Sequence, residues 1–377
     1  MPWREVSVMQ ERREFIRLAE QEGANRRQLC QRFGISAETG YKWLRRWGGG
    51  DRELLDGSRR PHTSPTRCPA ELEAAVLALR DAHPAWGARK LRRWLERAEI
   101  RPPALSTVHA ILSRHGRIDA ATAAPARPYC RFEKEAPNLL WQMDFKGWVA
   151  LTNGVRCHPL TILDDHSRFV PCLKACTDQQ TETVQTHLRT TFRHYGLPDA
   201  MFVDNGPPWG DASGEHWTRL EVWLLKLGVD LLHSTPYHPQ SRGKNERFHR
   251  TLQAEVLALR QFREPRQVQR AFDAWREVYN FERPHQALGQ NVPASRYRPS
   301  ARPMPERLPK ADYAVDDIVR TVPDSKDYIR FKGRLWKVPQ AFRGERVAIR
   351  PLRTDGCYGV FFASHQIAAI DLRVPAR

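Results

Sequence analysis

The chain lacks the sequence features of secreted, zinc-binding and membrane-spanning proteins. Its seven cysteines are scattered over 377 residues without a C-x2-C pair, which argues against a disulfide framework and a structural zinc site. No stretch approaches the roughly 18 to 20 consecutive apolar residues of a membrane span. Residues 1–21 alternate arginine and glutamate where a signal peptide would have an apolar core. We therefore expect a cytoplasmic protein with no membrane partner.

Acidic residues are scarce relative to basic ones. The chain has 61 lysines and arginines against 43 aspartates and glutamates, which gives a net charge of +18. A surplus of this size attracts polyanions and releases their counterions on binding. The charge therefore predicts nucleic acid as the first candidate partner.

Residues that break helices and strands divide the chain into four predicted domains. Glycine and proline are concentrated at 48–69, alanine and proline at 120–128, and proline again at 293–309, which is typical of linkers. The predicted domains are two helical ones at residues 1–50 and 68–117, a central one at 130–292 in which strands and helices alternate, and a strand-rich one at 311–377.

The first domain has the outline of a helix-turn-helix. A tight turn, Gly34-Ile35-Ser36, precedes a third helix for which Ser36 is the predicted N-cap. An amphipathic helical hairpin with solvated charges is the alternative interpretation. The three helices are predicted at 11–22, 26–33 and 37–47. The candidate DNA contacts on the outer face of the third helix are Thr39, Lys42, Arg45 and Arg46.

The second domain repeats this pattern and carries a denser basic cluster. Four basic residues within five positions favour contacts to phosphates, so we expect a second DNA-binding unit. Its helices are predicted at 71–82, 88–95 and 107–114, with Ser106 as the cap of the last. The candidate contacts are Arg89, Lys90, Arg92 and Arg93.

Three acids of the central domain form a candidate catalytic set. Asp144 lies within a predicted strand at 141–149, and Asp204 follows a short apolar strand at 200–203, where loops and ligands meet. Glu246 lies in the first turn of a predicted helix, near the positive end of its dipole. Taken alone, each acid is more often a cap, a turn residue or a surface carboxylate than a catalytic group. The other elements are predicted as strands at 160–165, 169–173 and 229–233 and helices at 181–195 and 220–227.

The three acids together indicate a metal-dependent reaction. Gathering them is unfavourable unless divalent cations intervene, and such hard oxygen ligands suit Mg2+ or Mn2+. Two ions about 3.5 to 4 Å apart can activate a water or a 3′-hydroxyl on one side of a phosphodiester and stabilise the leaving oxygen on the other. The set therefore predicts phosphodiester chemistry.

The helix that contains Glu246 is predicted to have an apolar and a polar face. Phe248, Leu252 and Leu259 are expected in the core. The polar stripe on the opposite face contains Glu246, His249, Arg250 and Gln253. The candidate DNA contacts in this segment are Lys244, Arg247, His249 and Arg250.

Five ordered motifs carry a family resemblance. They are Trp141-Gln142-Met143-Asp144-Phe145, Leu163-Asp164-Asp165-His166-Ser167-Arg168, Asp204-Asn205-Gly206, His238-Pro239-Gln240 with Gly243-Lys244-Asn245-Glu246-Arg247, and Tyr279-Asn280 with Arg283-Pro284-His285-Gln286-Ala287-Leu288. Together they closely resemble bacterial insertion-sequence transposases with a retroviral-integrase-like DDE core. The resemblance covers essentially the whole chain.

The resemblance implies an α/β fold in which a ribonuclease-H-like catalytic core lies between N-terminal helix-turn-helix domains and a small C-terminal SH3-like β-barrel. It implies a DDE transposase that binds terminal inverted repeats, cleaves DNA with water and joins the freed 3′-hydroxyl to target DNA. Asp144, Asp204 and Glu246 would hold Mg2+ or Mn2+, as two ions. The resemblance also implies a homo-oligomer assembled on DNA.

The position of the third acid departs from the family pattern. Between Asp204 and Glu246 lie 41 residues, which is longer than the best-known spacing, and the excess falls in a loop-like patch at 209–217. Glu215 and Glu221 are alternative third acids, although neither follows a His-Pro-Gln loop or opens a helix.

The roles of two further features stay open. Asp165 is a strand-end acid that either supports the site or forms a turn. Arg283-Pro284-His285 either ends a helix and packs or contacts DNA directly. The tail alternates β-patterned runs with turns, and its basic residues are available to phosphates. Its strands are predicted at 317–321, 328–332, 334–338, 346–350, 358–362 and 366–370, and its basic residues include Arg330, Lys332, Arg334, Lys337 and Arg343.

Two rival functions use a similar fold. A catalytically inactive DNA-binding regulator derived from a transposase would keep the fold, but the presence of all three acids in their motifs favours the enzyme. A structure-selective ribonuclease-H-like nuclease would not need two helix-turn-helix domains.

Overall fold

The computed structural model describes residues 7–57, 67–118, 133–210, 217–233 and 243–374. The chain divides into two compact units, Met1–Arg67 and Cys68–Arg377. Three sequence-based predictions lie outside the described residues: the linker at 120–128, the alternative acid Glu215 and the His238-Pro239-Gln240 motif. Within the described residues, none of the helices combines the length and the apolar character that crossing a bilayer requires.

The first unit is a three-helix cluster with strong caps. Ser7 and Gln10 form a capping box, with Ser7 Oγ accepting from Gln10 N at 3.2 Å, so the first helix begins earlier than predicted. Ser36 Oγ accepts from Thr39 N at 3.1 Å, which confirms the predicted cap. The helices are α1 Val8–Ala19, α2 Arg26–Arg32 and α3 Ala37–Arg46. Their core contains Phe15, Ile16, Cys30, Trp43 and Leu54.

The close approach of α3 to its neighbours depends on Gly40. A Cβ atom at this position would overlap Cys30 Sγ and lie 2.9 Å from Phe15 Cζ. We expect Gly40→Ala to destabilise the unit by about 1–3 kcal/mol because overpacking forces its neighbours to shift. Gly50→Ala is the control, since its Cβ would meet nothing within 4 Å. Amide hydrogen exchange of α1–α3 measures the effect, and equal protection in both variants would contradict it.

The second helical domain belongs to the larger unit. Its helices are α4 Ala70–Ala82, α5 Ala88–Arg97 and α6 Leu105–Arg114, which pack through residues such as Val76, Leu91, Leu95, Val108 and Ile111. The prediction that Ser106 caps α6 is wrong, because Ala104 occupies the N-cap and Ser106 lies inside the helix. Pro102 and Pro103 lie just before the N-cap, and a residue that precedes a proline disfavours the α conformation, so the helix does not extend past them.

The central domain is built on a mixed sheet with the order β2-β3-β1-β5-β6, and β4 pairs with β3. β1 runs antiparallel to β3 and parallel to β5. This topology, together with helices on both faces, is the ribonuclease-H-like fold expected from the sequence. The strands are β1 Trp141–Phe145, β2 Val149–Ala150, β3 Arg156–Asp164, β4 Cys172–Cys176, β5 Ala200–Val203 and β6 Asp230–His233.

Two predicted strands differ from the structure. The strand expected at 141–149 is split into β1 and β2 because Gly147 turns with φ +85°, a conformation that favours glycine. The strand expected at 169–173 is β4, which begins only at Cys172. Pro171 has no N–H to donate to the β3 ladder, so pairing starts after it.

Helices cover the two faces of this sheet. α7 Thr181–Tyr195 and α8 Arg219–Lys226 pack on one face in a core cluster that includes Met143 and Met201. α9 Gly243–Leu252 and α10 Pro265–Glu277 pack on the other face with residues of β3 and β4. Because side chains alternate along a strand, the polar positions of β1 and β5 are turned toward α9.

α9 is followed by a π-helical turn, Gln253–Leu257. The turn adds a residue to the local repeat and shifts the helical phase. Phe248 and Leu252 are buried as predicted, but Leu259 is 54% exposed, so its predicted place in the core is wrong.

The C-terminal domain contains all six predicted strands. Four form an antiparallel sheet in the order β12-β11-β10-β7, and β8 and β9 form a hairpin. Both contribute to one core cluster, which also takes in Val222 and Leu225 of α8. The strands are β7 Ile318–Thr321, β8 Tyr328–Phe331, β9 Arg334–Lys337, β10 Arg346–Pro351, β11 Cys357–Phe362 and β12 His365–Asp371.

Candidate active site and nucleic-acid interface

Asp144 lies on β1, and Asp204 directly follows the neighbouring parallel strand β5. β1 pairs with β5 through Gln142↔Phe202, and continuing this register sets position 144 beside position 204. Both aspartates are half-buried, and strand alternation sets Asp144 on the α9 side of the sheet. Adjacent strands are about 4.8 Å apart, so two carboxylates at this level can share a ligand.

Glu246 lies on the helix that covers the same face. Phe248 anchors α9 in the core cluster beneath it, and the Lys146 ammonium donates to Gln253 Oε1 at 2.7 Å beyond the end of α9. At the beginning of the helix, Lys244 is paired with Asp165. α9 therefore follows the direction of β1, and Glu246 is exposed in its first turn.

His249 faces the sheet, in contrast to its predicted place on a DNA-facing stripe. Thr161, the cross-strand partner of Asp144, donates from Oγ1 to the Asp144 carbonyl at 2.9 Å and accepts from His249 Nε2 at 2.9 Å. Burial lowers the pKa of His249 to about 4, so the ring is neutral. His249 thus joins α9 to β3, whose Thr161 in turn bonds Asp144 of β1, and it brings no charge to DNA. Arg247 and Arg250 are exposed.

Asp165 has a supporting position beneath the candidate site. Its carboxylate is fully buried and accepts from Lys134 N at 2.8 Å, from Gln142 Nε2 at 2.8 Å and from the Lys244 ammonium. Lys244 is therefore held by Asp165, and desolvation is the main cause that lowers its pKa. These bonds fix β1 relative to the start of α9, and with it the helical turn that carries Glu246.

The three predicted acids do not form a preassembled metal cluster. Among the described residues, no group of three or more His, Cys, Asp and Glu side chains lies close enough to hold an ion. The donor chemistry nevertheless fits Mg2+ or Mn2+, because Asp144 and Asp204 offer carboxylate oxygens at one level and Glu246 lies on the helix above that face.

The alternative third acid Glu221 is poorly placed for this site. It lies in the first turn of α8, so the expectation that it does not open a helix is wrong, but it is only 7% exposed and lies across the sheet from α9. Burial raises its pKa to about 7, and its Oε2 has no hydrogen-bond partner among the described residues. A carboxyl group in this environment is partly protonated at neutral pH and does not reach the face that carries Asp144.

The candidate DNA contacts of α3 differ in how exposed their side chains are to solvent and therefore to DNA. Lys42, Arg45 and Arg46 are exposed on the outer face of the helix. Lys42 Nζ and Arg46 Cζ each lie 5.4 Å from the ring centroid of Trp43, within the range of a cation–π contact. Thr39 is half-buried and its hydroxyl lies 2.9 Å from Ser36 Oγ, so it belongs to the helix cap.

The basic cluster of α5 is divided between solvent and the central domain. Arg89 and Arg92 are exposed, and Arg92 pairs with Glu96 at 2.9 Å. Arg93 donates from Nη2 to Asn291 Oδ1 at 3.1 Å, and Lys90 is half-buried. The expectation that all four face DNA therefore needs correction: the inner pair packs toward the central domain.

The motif Arg283-Pro284-His285 has a packing role in the structure. Arg283 is buried and its Nε donates to Glu255 at 2.9 Å, while Trp275 Nε1 donates to the same carboxylate at 2.9 Å. His285 lies 3.3 Å from Tyr279 Oη, and burial lowers its pKa to about 3. A buried ion pair and a neutral ring hold the turn after α10 in place.

Family comparisons match each of these domains. Profiles described as homeodomain-like domains match residues 7–55 and 39–112. Profiles of the integrase core domain match residues 134–239 and 227–293, and the C-terminal domain of the IS481 family of transposases matches residues 317–376. The chain therefore contains the domains of transposases and integrases: homeodomain-like domains, an integrase core and the C-terminal domain of an IS481-family transposase.

The similar proteins include products of bacterial insertion elements. An uncharacterized 31.7 kDa protein of insertion element IS407 from Burkholderia multivorans is 29% identical over 169 residues, which covers 44% of this chain and 58% of that protein. An uncharacterized 39.2 kDa protein of IS476 from Xanthomonas euvesicatoria is 27% identical over 238 residues, which covers 61% of this chain and 65% of that protein. The chain thus spans less than two thirds of either relative.

Retroviral proteins are also similar to this chain. The Gag-Pro-Pol polyprotein of Mason-Pfizer monkey virus is 29% identical over 124 residues, which covers 33% of this chain and 6% of the polyprotein. Among solved structures, a simian T-cell lymphotropic virus intasome with a PP2A regulatory subunit has a TM-score of 0.36 at 18% identity. The match covers 71% of this chain and 92% of the intasome chain. The HTLV-2 integrase catalytic core with magnesium has a TM-score of 0.33 at 15% identity. The match covers 44% of this chain and 99% of that catalytic core.

Sequence reasoning missed the residues that support the candidate site. Thr161 bridges Asp144 and His249, and Glu255 neutralises Arg283, although neither belongs to a recognised motif. Thr161 could have been found from strand alternation, since it precedes the Leu163-Asp164-Asp165 motif on the same face. Glu255 lies in the π-helical turn, so regular helical spacing gives no signal for it.

Proposed function

We propose that this chain is a transposase that cleaves DNA at the ends of an element and joins the freed 3′-ends to target DNA. The observation that supports the proposal is the parallel pairing of β1 with β5, because β1 contains Asp144 and Asp204 directly follows β5. Glu246, in the first turn of α9, supplies the third carboxylate. No other group of acids on this face is needed to account for the chemistry.

In this proposal Asp144, Asp204 and Glu246 hold the divalent cation, as Mg2+ or Mn2+ and in a two-ion arrangement. When bound, such ions lower the pKa of an attacking water or hydroxyl and stabilise the leaving oxygen. Thr161 and neutral His249 hold the Asp144 backbone against α9. Because His249 is neutral, it leaves the negative field of the acids undiminished for cation binding.

DNA recognition is assigned to the helical domains. In this proposal residues 1–50 and 68–117 contact the terminal repeats, residues 130–292 carry out the reaction, and residues 311–377 add contacts to phosphates. Exposed Arg247 and Arg250 on α9 place positive charge beside Glu246, where the scissile phosphate would lie. Target DNA and a homo-oligomer assembled on the element ends complete the proposal.

The exposed basic face of α3 is expected to make DNA affinity dependent on salt. Replacing Lys42, Arg45 and Arg46 with alanine should weaken binding to end DNA and flatten the log-log salt dependence by about 0.9 for each phosphate that the variant no longer neutralises. The Arg13→Ala/Arg17→Ala variant is the control, because both side chains are exposed on α1. An unchanged slope in the triple variant would show that α3 does not anchor DNA.

A strand-nicking assay tests the function itself. Duplex DNA carrying the terminal repeats of the element is incubated with the full chain and Mg2+ or Mn2+, and nicked and joined products are resolved. The proposal requires both products, both dependent on the cation. Specific binding without nicking would indicate the inactive regulator, and cleavage of RNA–DNA hybrids without preference for element ends would indicate the nuclease.

A further inference from the structure

A polar cavity of about 660 Å³ lies where the central and C-terminal domains meet. Residues of the loop at 207–210 form one wall, and residues of the turn at 340–343 form another. Asp204 and Pro207 are three residues apart, and three residues span at most about 11 Å. The cavity therefore begins within that distance of a proposed catalytic acid, although none of the three acids is among the described residues that line it.

The loop that joins Asp204 to the cavity has a fixed shape. Gly206 N donates to Asp204 Oδ1 at 3.1 Å, and Gly210 N donates to the Gly206 carbonyl at 3.1 Å. Trp209 is buried and stacks on Phe145 of β1, with the ring centroids 5.6 Å apart. A DNA strand that reaches Asp204 therefore passes within about three nucleotides of the cavity, given a rise of about 3.4 Å per nucleotide.

The lining of the cavity suits a nucleotide better than a bare phosphate. Gln179, Gln180 and Gln340 carry side-chain amides, which both donate and accept hydrogen bonds, as the edges of bases do. Trp217 adds an aromatic surface, and its ring makes an edge contact with Phe342 at 5.3 Å between centroids. The volume also lies within the range of about 300–1,000 Å³ that is typical of small-molecule and cofactor pockets.

The charge of the lining is positive. Arg219 is exposed and Arg343 is half-buried, and none of the described residues that line the cavity is acidic. Arg343 Nε and His158 Nδ1 are buried and have no hydrogen-bond partner within the part of the chain that the structure describes. Buried polar atoms without partners cost free energy, so a ligand that offers them oxygen or nitrogen atoms would be stabilised here. The two arginines suit the phosphates of such a ligand.

An exposed aromatic side chain continues this surface outward from the cavity. Arg156 and His158 are two residues apart on β3, so they share one face of the strand at a separation of about 7 Å. Arg156 Cζ lies 4.6 Å from the ring centroid of Trp148, and 55% of Trp148 is exposed. Proteins that bind single-stranded nucleic acid combine such aromatic rings, on which bases stack, with cations that contact the backbone.

We propose that this surface holds an unpaired segment of a DNA strand, with one base in the cavity against Trp217 and another base of the same strand stacked on Trp148. The proposal rests on the proposed function, which brings DNA to Asp204. A base within a duplex is paired and stacked, so it enters a cavity only after it has left the helix. The surface would therefore keep the two strands apart next to the position of cleavage.

Photo-crosslinking of the full chain tests this site. The probe is a forked DNA of arbitrary sequence, because stacking on aromatic side chains tolerates any base. One single-stranded arm carries 5-iodouracil, which crosslinks to adjacent aromatic side chains on irradiation, and a matched duplex carries it in a base pair. We expect crosslinks to Trp148, Trp217 or His158 that are at least about ten-fold more abundant with the fork, because a paired base must first leave its stack.

The abundance and position of the crosslinks decide the outcome. Equal crosslinking of fork and duplex, or crosslinks confined to residues outside this surface, would overturn the proposal. Deoxyadenosine monophosphate in a parallel sample separates a strand from a free nucleotide, which has the same chemistry. Competition only at concentrations far above that of the fork supports a strand site. Displacement of the fork at an equal concentration would show that the cavity is a mononucleotide site, which also overturns the proposal.

Substitutions at Trp148 give an independent measurement. Trp148→Leu removes the stacking surface and should weaken binding to the fork by about 5- to 150-fold, whereas Trp148→Phe should retain most of the affinity. Neither variant should change the affinity for the paired duplex. An equal loss for fork and duplex, or no loss for the fork, would contradict the role of Trp148. If Trp148→Leu fails to fold, the crosslinking of the unmodified chain still decides.

The amides of the cavity are tested in the same assay. Gln179→Ala/Gln340→Ala removes two of them and should lower crosslinking to Trp217 several-fold. Both side chains are exposed, so the fold should tolerate the change. Gln366→Ala is the control, because Gln366 is exposed on β12 and does not line the cavity. An effect of the double variant no larger than that of the control would show that the cavity does not hold the base.

The two proposals fail in different ways. Asp144→Asn should remove nicking yet leave the crosslinks intact, because Asp144 is not among the described residues that line the cavity. A chain that crosslinks the arm at this surface but never nicks end DNA would overturn the proposed function and retain the strand site. A chain that nicks end DNA without these crosslinks would overturn the strand site alone.

Discussion

Asp144→Asn, Asp204→Asn and Glu246→Gln are each expected to abolish cation-dependent nicking and joining while leaving the affinity for end DNA largely unchanged. In the proposed site, each substitution removes one charged oxygen ligand of the cation. Losing only an outer partner of a metal ligand costs about 10- to 100-fold in activity, so losing a ligand should cost more. Single-turnover nicking and filter binding on the same end DNA measure the two effects.

Matched acids elsewhere in the central domain serve as controls. Glu182 is exposed in the first turn of α7, as Glu246 is in α9. Asp230 is the first residue of β6 and pairs with Ala200 at the beginning of β5, whereas Asp204 follows the end of β5. Glu182→Gln and Asp230→Asn should retain activity. If any of the three site variants nicks DNA within a few-fold of the unmodified chain, that residue does not belong to the site.

Arg283→Met is expected to destabilise the central domain by about 3–5 kcal/mol, because it leaves the buried Glu255 carboxylate without its counter-charge. The exposed fractions of the two side chains are 6% and 8%, so water cannot replace the missing partner. Trp275, which also donates to Glu255, would be perturbed with it. Hydrogen exchange of α10 and the turn after it measures the free energy of opening.

A second substitution separates charge from packing. In Arg283→Met/Glu255→Gln neither charge is stranded, so part of the stability should return. Arg373→Met is the control for removing an arginine, since its pair with Asp371 is on the surface and contributes little. An effect of Arg283→Met no larger than that of Arg373→Met would show that the buried pair is not a structural anchor.

Local patterns predicted those elements whose signal lies within a few residues. α7 was predicted at its observed bounds, because its apolar face repeats with helical spacing and Gly196 follows at once. β5 was also predicted correctly, since a short apolar run ends at the polar Asp204-Asn205-Gly206. The placement of Asp144 and Asp204 on one sheet follows from such elements, but their common level requires the β1–β5 register.

Contacts between distant residues could not be predicted in this way. Arg97 and Phe281 are 184 residues apart, and their hydrogen bond joins α5 to the turn after α10. A basic cluster at 89–93 looks the same in sequence whether it faces DNA or another domain. For this reason the sequence predicts DNA contacts for Lys90 and Arg93, which pack toward the central domain. It also predicts Leu259 in the core, although a π-helical turn rotates this residue outward.

The most direct test of the account is a crystal structure of the full chain with end DNA and Mn2+, in which anomalous scattering locates the cation. The account predicts Mn2+ at about 2.0–2.2 Å from carboxylate oxygens of Asp144, Asp204 and Glu246, with the scissile phosphate against it. Mn2+ bound to other residues, or an end phosphate held away from Asp144 and Asp204, would contradict the assignment of these three acids.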